Sequence, residues 1–387
     1  MRIILTGGGS GGHITPLLAV ASELKRQKPE IEVIYIGERG GSLNDIVERH
    51  ADIDSSYQVM AGKFRRYHGE GFKQLFDVPT VLKNARDFFL VFFGFWQALW
   101  RLWRLKPDAV FIKGSLVAVP VGWASALLRI PYVTHDSDTM PGLANRLISR
   151  WAAAHAVALN KEFYPYPAKK TFTVGIPLAS DFIPVTPSLI RRYKEELAIP
   201  EANPVIFVTG GGLGATRLNA AVSAIAKNLL EEFPHLYLLQ SIGRGNSIDY
   251  SFLGADLRKR VVVKNFIKDL YRYSGAADLI ITRGSATALA EFAAQGKSCV
   301  VVPNPLLTGG HQLKNAAHMA DIAAVCVVDE DLIKQQPDAL LPIVRQLLRN
   351  PEERAKLSKN LSKLAKPDSA SRLTDLLLKH AGSGTGS

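Results

Sequence analysis

Residues 5–13 read Leu-Thr-Gly-Gly-Gly-Ser-Gly-Gly-His, and residues 208–215 read Val-Thr-Gly-Gly-Gly-Leu-Gly-Ala. Each stretch ends a short apolar run (3–6 and 205–209) and leads into a segment of helical periodicity (14–25 and 218–231). A strand that enters a glycine loop and leaves it as a helix opens a Rossmann-like unit. Glycine allows the tight turn there and lets backbone N–H groups approach an anionic ligand at the helix N-terminus. Gly7, Gly9 and Gly12 satisfy the G-x-G-x-x-G spacing, a pattern a dehydrogenase would share, with Glu38 as its ribose acid. The second loop makes a single-cofactor domain a poor description and predicts two Rossmann-like α/β domains.

The rest of the chain fits that prediction. Apolar runs at 33–36, 109–112, 132–135, 154–158, 236–240, 261–263, 279–282, 299–302 and 324–328 read as strands. Periodic segments at 143–153, 286–294, 313–320 and 339–348 read as helices between them. The proline-bearing stretch 174–187 is the candidate linker. The expected division is 1–170 and 171–365, with a helix at about 366–380 packing back on the first domain and a disordered tail at 381–387.

The chain has 387 residues, 47% of them hydrophobic, which is enough for a core in each half. Cys299 and Cys326 lie in apolar runs and read as small hydrophobes, not as a disulfide or metal framework. A formal charge of +12 suits nucleic acid, anionic lipid or phosphorylated substrates. No zinc-finger spacing or RNA-binding strand pair is present, so no nucleic-acid partner is expected. The chain opens on a strand without a secretory leader, so a cytoplasmic location is expected.

Candidate chemistry sits at three places. His13 closes the first loop, where it is a candidate general base or a residue that merely caps and packs. Asp136 and Asp138 are candidates to share or take over the proton's removal, to orient His13 or to hold hydroxyls, or else to cap the helix at 143. In the second half, Arg283 ends a strand, residues 285–288 would form a first helical turn, and Glu291 follows among apolar neighbours. Gln312 and Asn315 share a helix face and suit sugar hydroxyls. The third place is 88–106, where Phe92, Phe95, Trp96, Trp100 and Trp103 mix with Arg101 and Arg104. That run is too interrupted to span a bilayer and reads as an interfacial helix or as a core helix. Lys63, Arg65, Arg66 and Lys73 add positive charge upstream, for anionic lipid or a pyrophosphate, or as a solvated loop.

Taken together and in order, Gly8–Pro16, His135–Asp138 with Gly142 and Asn145, Gly210–Ala215, Asn265–Ile267, Arg283–Glu291 and His311–Asn315 resemble the MurG family, glycosyltransferase family 28. That resemblance implies a GT-B architecture, two Rossmann-like domains facing across a cleft. It implies an inverting hexosyltransferase that moves N-acetylglucosamine from UDP-N-acetylglucosamine to a lipid-linked muramoyl-pentapeptide in peptidoglycan synthesis. The donor is a substrate; no bound cofactor or metal is implied. By resemblance, Gly9, Ser10, Gly11, Gly12, Thr15 and Asn145 belong to the acceptor side. Gly211, Gly212, Phe266, Ile267, Arg283, Ser285, Ala286, Thr287, Ala288, Glu291, His311, Gln312 and Asn315 belong to the donor side. The expected location is the cytoplasmic face of the plasma membrane, peripherally bound to an anionic surface and working beside other cell-wall synthesis proteins. The chain departs from the family pattern at Ala179, Gly212 and His311, and in the Asp136-Ser137-Asp138 segment. Rivals on the same fold are a glycosyltransferase for another lipid such as diacylglycerol, a UDP-sugar epimerase, and a nucleotide-binding protein without turnover.

Overall fold

The computed structural model describes residues 1–62, 78–306 and 310–382. Two compact units emerge, one built from Met1–Ser180 with the segment from Lys366 onward, the other from Asp181–Pro305 with Gln312–Ala365.

The first unit holds a parallel sheet of β1 (Arg2–Thr6), β2 (Glu32–Glu38), β3 (Ser55–Val59), β4 (Ala109–Ile112), β5 (Tyr132–Asp136), β6 (Ala154–Val157) and β7 (Thr171–Thr173). Its order is β3-β2-β1-β4-β5-β6-β7. Helices α1 (Gly11–Gln27), α2 (Asn44–Glu48), α3 (Val78–Leu105), α4 (Ala118–Leu127) and α5 (Leu143–Ile148) connect the strands. Helices cover both faces of a parallel sheet, so its central strands are mostly apolar, although β5 ends in the buried Thr134, His135 and Asp136. Ala-Val-Phe-Ile of β4 is buried at every position. The edge strands obey no such rule: β3 is Ser-Ser-Tyr-Gln-Val and β7 is Thr-Phe-Thr, and neither shows in the hydrophobic pattern.

The second unit repeats the plan. Strands β8 (Val205–Thr209), β9 (Tyr237–Ser241), β10 (Val261–Lys264), β11 (Leu279–Thr282), β12 (Cys299–Val301) and β13 (Cys326–Val327) run parallel in the order β10-β9-β8-β11-β12-β13. Its helices are α6 (Pro187–Glu196), α7 (Thr216–Glu232), α8 (Ala255–Arg258), α9 (Leu270–Ala276), α10 (Ala286–Gln295), α11 (His311–Asp321), α12 (Glu330–Gln335), α13 (Leu340–Arg349) and α14 (Pro351–Ser362). The last helix, α15 (Ser369–Gly382), packs on α1, β4 and β5 of the first unit. Ser369 Oγ donates to the Ile176 carbonyl at 2.7 Å and fastens its start.

Some expected boundaries move. β7 adds a strand to the first sheet, so that unit runs past 170 to Ser180. Ala381 and Gly382 are helical and not part of a tail, while 383–387 lie outside the described residues. The helix expected over 143–153 ends at Ile148 and tightens into a 3₁₀ turn at Ser149–Trp151.

Candidate functional site

In each sheet the first strand lies where the strand order reverses, beside β4 in one unit and β11 in the other. Ligands of doubly wound folds bind at the carboxyl ends of strands at such a point. The first loop leaves β1 there. Gly9 takes φ +79°, a left-handed conformation that favours glycine, and Ser10 precedes α1 in an extended conformation. The turn brings His13 back on its own loop, with Nδ1 2.8 Å from the Gly8 carbonyl. A carbonyl only accepts, so Nδ1 carries the hydrogen and Nε2 keeps its lone pair. Burial, then the neighbouring Lys113 ammonium, pushes His13 down to about 4, so the imidazole is neutral at pH 7. Thr15 Oγ1 donates to the Gly11 carbonyl at 3.2 Å, within its own helix.

Beneath this loop lies a residue the sequence reading passed over. Lys113 follows β4, is buried, and donates from Nζ to Ser137 Oγ at 2.6 Å. Burial lowers it to about 8, against the opposing pull of Asp138 and Asp136. Its sequence signal was a lysine placed directly after four apolar strand residues. Asp136 takes a structural part here. It is buried, its carboxyl raised by burial, and it accepts from Tyr166 Oη at 2.8 Å and from the Gly142 N–H at 3.1 Å, just ahead of α5. Asp136, expected as a catalytic carboxylate, thus ties the Tyr166 hydroxyl and the backbone of Gly142, while α5 itself starts without a side-chain cap. Asp138 is half-buried on the following loop. Asn145, expected to meet the acceptor, is buried and donates to the His135 carbonyl at 2.9 Å.

The second loop leaves β8 in the same way. Gly214 and Gly243 both have positive φ, and their backbones lie too close for a side chain on either. Phe266 lies beside this loop, its ring edge 3.6 Å from where a Gly212 Cβ would be, and the Arg244 guanidinium stacks 4.6 Å above its centre. Arg244 is a second residue that sequence reasoning missed. Ile267 is buried next to Phe266. On the neighbouring strand, Ser285 caps α10 by position, and Ala286, Thr287 and Ala288 form the first turn. Glu291 follows on the same helix, buried, its carboxyl pushed by burial up to about 8. Gln312 Oε1 accepts from the Asn304 N–H at 3.0 Å, and Asn315 Nδ2 donates to the Gly284 carbonyl at 3.2 Å. These amides therefore bind α11 to the donor-side turns. Arg283, expected among the donor ligands, donates to Glu330 at 2.5 Å and to the Val302 carbonyl at 3.1 Å. His311 is half-buried at the start of α11.

Helix α3 has two apolar faces. Val91, Ala98 and Leu102 are buried in the first unit, and Phe95, expected at a membrane surface, packs partly buried against the same core. Arg101 also turns inward, its guanidinium 4.8 Å from the Tyr57 ring centre. The other face carries Phe88, Phe89, Phe92, Phe93, Trp96 (53% exposed), Trp100 (54%) and Trp103 (62%), with Arg104 over the Trp100 ring at 5.5 Å. Among the described residues no helix is long and apolar enough to cross a membrane. Lys63, Arg65, Arg66 and Lys73 lie outside the described residues.

Residues 3–157 match the glycosyltransferase family 28 N-terminal domain, and residues 205–373 match the C-terminal domain of the same family. A Bacillus licheniformis protein named UDP-N-acetylglucosamine–N-acetylmuramyl-(pentapeptide) pyrophosphoryl-undecaprenol N-acetylglucosamine transferase is 30% identical, covering 98% of this chain and 99% of its own. The crystal structure of Acinetobacter baumannii MurG is similar at a TM-score of 0.70 and 25% identity, covering 98% of this chain and 99% of that one. A UDP-GlcNAc 2-epimerase from Neisseria meningitidis shares the fold alone, with a TM-score of 0.66 and 14% identity over 98% of this chain and 100% of that one. With two Rossmann-like domains of the GT-B type, each matching its half of the family, the chain is a glycosyltransferase of family 28.

Proposed function

We propose that this enzyme transfers N-acetylglucosamine from UDP-N-acetylglucosamine to the C4 hydroxyl of an undecaprenyl-pyrophosphoryl-N-acetylmuramoyl-pentapeptide, with inversion. The observation that carries the mechanism is the neutral His13 with its Nε2 lone pair unspent on the loop. Nε2 takes the hydroxyl proton as the oxygen attacks the anomeric carbon. The bond from that carbon to the β-phosphate oxygen breaks, and its electron pair leaves with UDP. The first turn of α10 offers N–H groups and a helix dipole to the departing pyrophosphate. Glu291 accepts the ribose hydroxyls. The UDP-sugar is consumed as a substrate and is not a cofactor.

The acceptor's lipid implies a membrane surface, and the exposed aromatic face of α3 with Arg104 suits a headgroup layer on the cytoplasmic side. Replacing Trp96, Trp100 and Trp103 by Ala should release the protein from anionic vesicles in a flotation assay and leave turnover on a detergent-soluble acceptor intact. Retained flotation would remove α3 from that role. The altered Asp136-Ser137-Asp138 segment supports one second reading, a different lipid acceptor. The deciding assay pairs UDP-N-acetylglucosamine with the muramoyl lipid, against UDP-glucose with diacylglycerol. Sugar product formed with no acceptor at all would mean an epimerase.

A further inference from the structure

Arg283 is the first residue after β11 and starts the turn into α10. Arg283 is 6% exposed and its partner Glu330, the first residue of α12, is 1% exposed. One fork nitrogen donates to Glu330 Oε1 at 2.5 Å, the other to the Val302 carbonyl beyond β12 at 3.1 Å. The second oxygen of Glu330 faces Arg217 at 3.4 Å, and Arg217 lies in the first turn of α7, directly after the second glycine loop. A single carboxylate thus joins the two strand-to-helix turns of this unit. The turn it holds is tightly fitted: a Cβ on Gly284 would lie 2.7 Å from the Gln312 carbonyl oxygen.

Buried ion pairs are poor stabilisers, because desolvation offsets their attraction and apolar pairs of equal volume often do as well. What the ion pair supplies is direction. A planar guanidinium with two fixed contacts sets the turn's angle as well as its depth. We propose that Glu330 is a positioning residue of the donor pocket: through Arg283 and Arg217 it aims the β11–α10 turn and the second glycine loop at a nucleoside diphosphate sugar. This inference rests on the reading of the second unit as the UDP-sugar side. Glu330 itself touches no substrate; it acts through the arginines, as supporting contacts do around a preorganised site.

The test measures UDP binding by calorimetry, and the KM for UDP-N-acetylglucosamine and for the acceptor separately. The proteins are wild type, Glu330→Gln, Glu330→Asp and the double variant Glu330→Leu/Arg283→Met. Misaimed turns should weaken UDP and raise the donor KM by about 10- to 100-fold in Glu330→Gln, with the acceptor KM unchanged. Glu330→Asp, which keeps the charge, should recover part of the loss. The double variant leaves no buried charge unpaired, so it should melt near wild type and still bind UDP weakly. Unchanged UDP affinity in any folded variant overturns the inference, and so does an equal rise in both KM values. If wild type itself fails to bind UDP, the donor-side reading falls instead.

Discussion

Beside the first glycine loop sit groups whose ionisation burial shifts; beside the second sit glycine backbone, an aromatic ring and two arginines. Around the first, His13 is lowered to about 4 and Lys113 to about 8, Asp136 is raised, and His135 is held well below its usual range. Around the second, Gly214 and Gly243 press together and Arg244 stacks on Phe266. The strand orders match, so topology alone does not explain the contrast. On the proposed reading, the first loop moves a proton and the second seats a flat base and phosphates. The fold supplies two like turns, and the side chains around each would divide that labour.

That division breaks most visibly at His13. His13→Ala should cut kcat by about 10²- to 10⁴-fold, the usual range for a lost general base, while the KM for the UDP-sugar stays put. Steady-state kinetics at saturating acceptor checks it. A fall in donor affinity would mean that the first loop also seats the nucleotide, and the contrast would dissolve.

Glu291 tests the other side. Its folded value of about 8 lies above the ordinary 4.5, so the folded state holds a proton the unfolded chain has released. The stability this contributes is present in full below about 4.5 and is lost as pH rises toward about 8. Glu291→Gln should flatten that decline in melting temperature for the ligand-free protein. On the proposed reading ribose hydroxyls donate to the ionised carboxylate, so wild-type affinity for UDP should gain on the variant's as pH rises. Loss of the charged acceptor should cost UDP binding about 10-fold at pH 8.5. An identical pH profile in the two proteins would take Glu291 out of the pocket.

Legibility followed burial and locality. β4, β8 and β11 are legible to the residue because strands covered on both faces are mostly apolar. β3 and β7 are not, because edge positions tolerate Ser, Thr and Gln. His13 and Glu291 travel with local motifs, and the sequence shows them. Glu330 reaches its place through tertiary structure with no such hint, and Lys113 has only its position directly after the apolar β4. The Tyr166 contact to Asp136 is equally invisible in the sequence, because the two residues lie 30 positions apart.

The smallest expected effect sharpens the comparison most. Lys113 is a buried cation beside the first loop whose charge lowers both His13 and His135. Its positive charge disfavours a second proton on His13. In Lys113→Met that repulsion is gone, so the His13 value rises and the acid limb of kcat/KM moves to higher pH. Burial is the larger cause and remains, so the move should be about one pH unit or less. Turnover at pH 8, where His13 is neutral either way, should change little. The pH–rate profile separates this from general damage, which would lower the whole curve without moving its limb. A limb that stays in place would mean burial alone keeps the base neutral, and the lysine would then serve Ser137 and the two aspartates only.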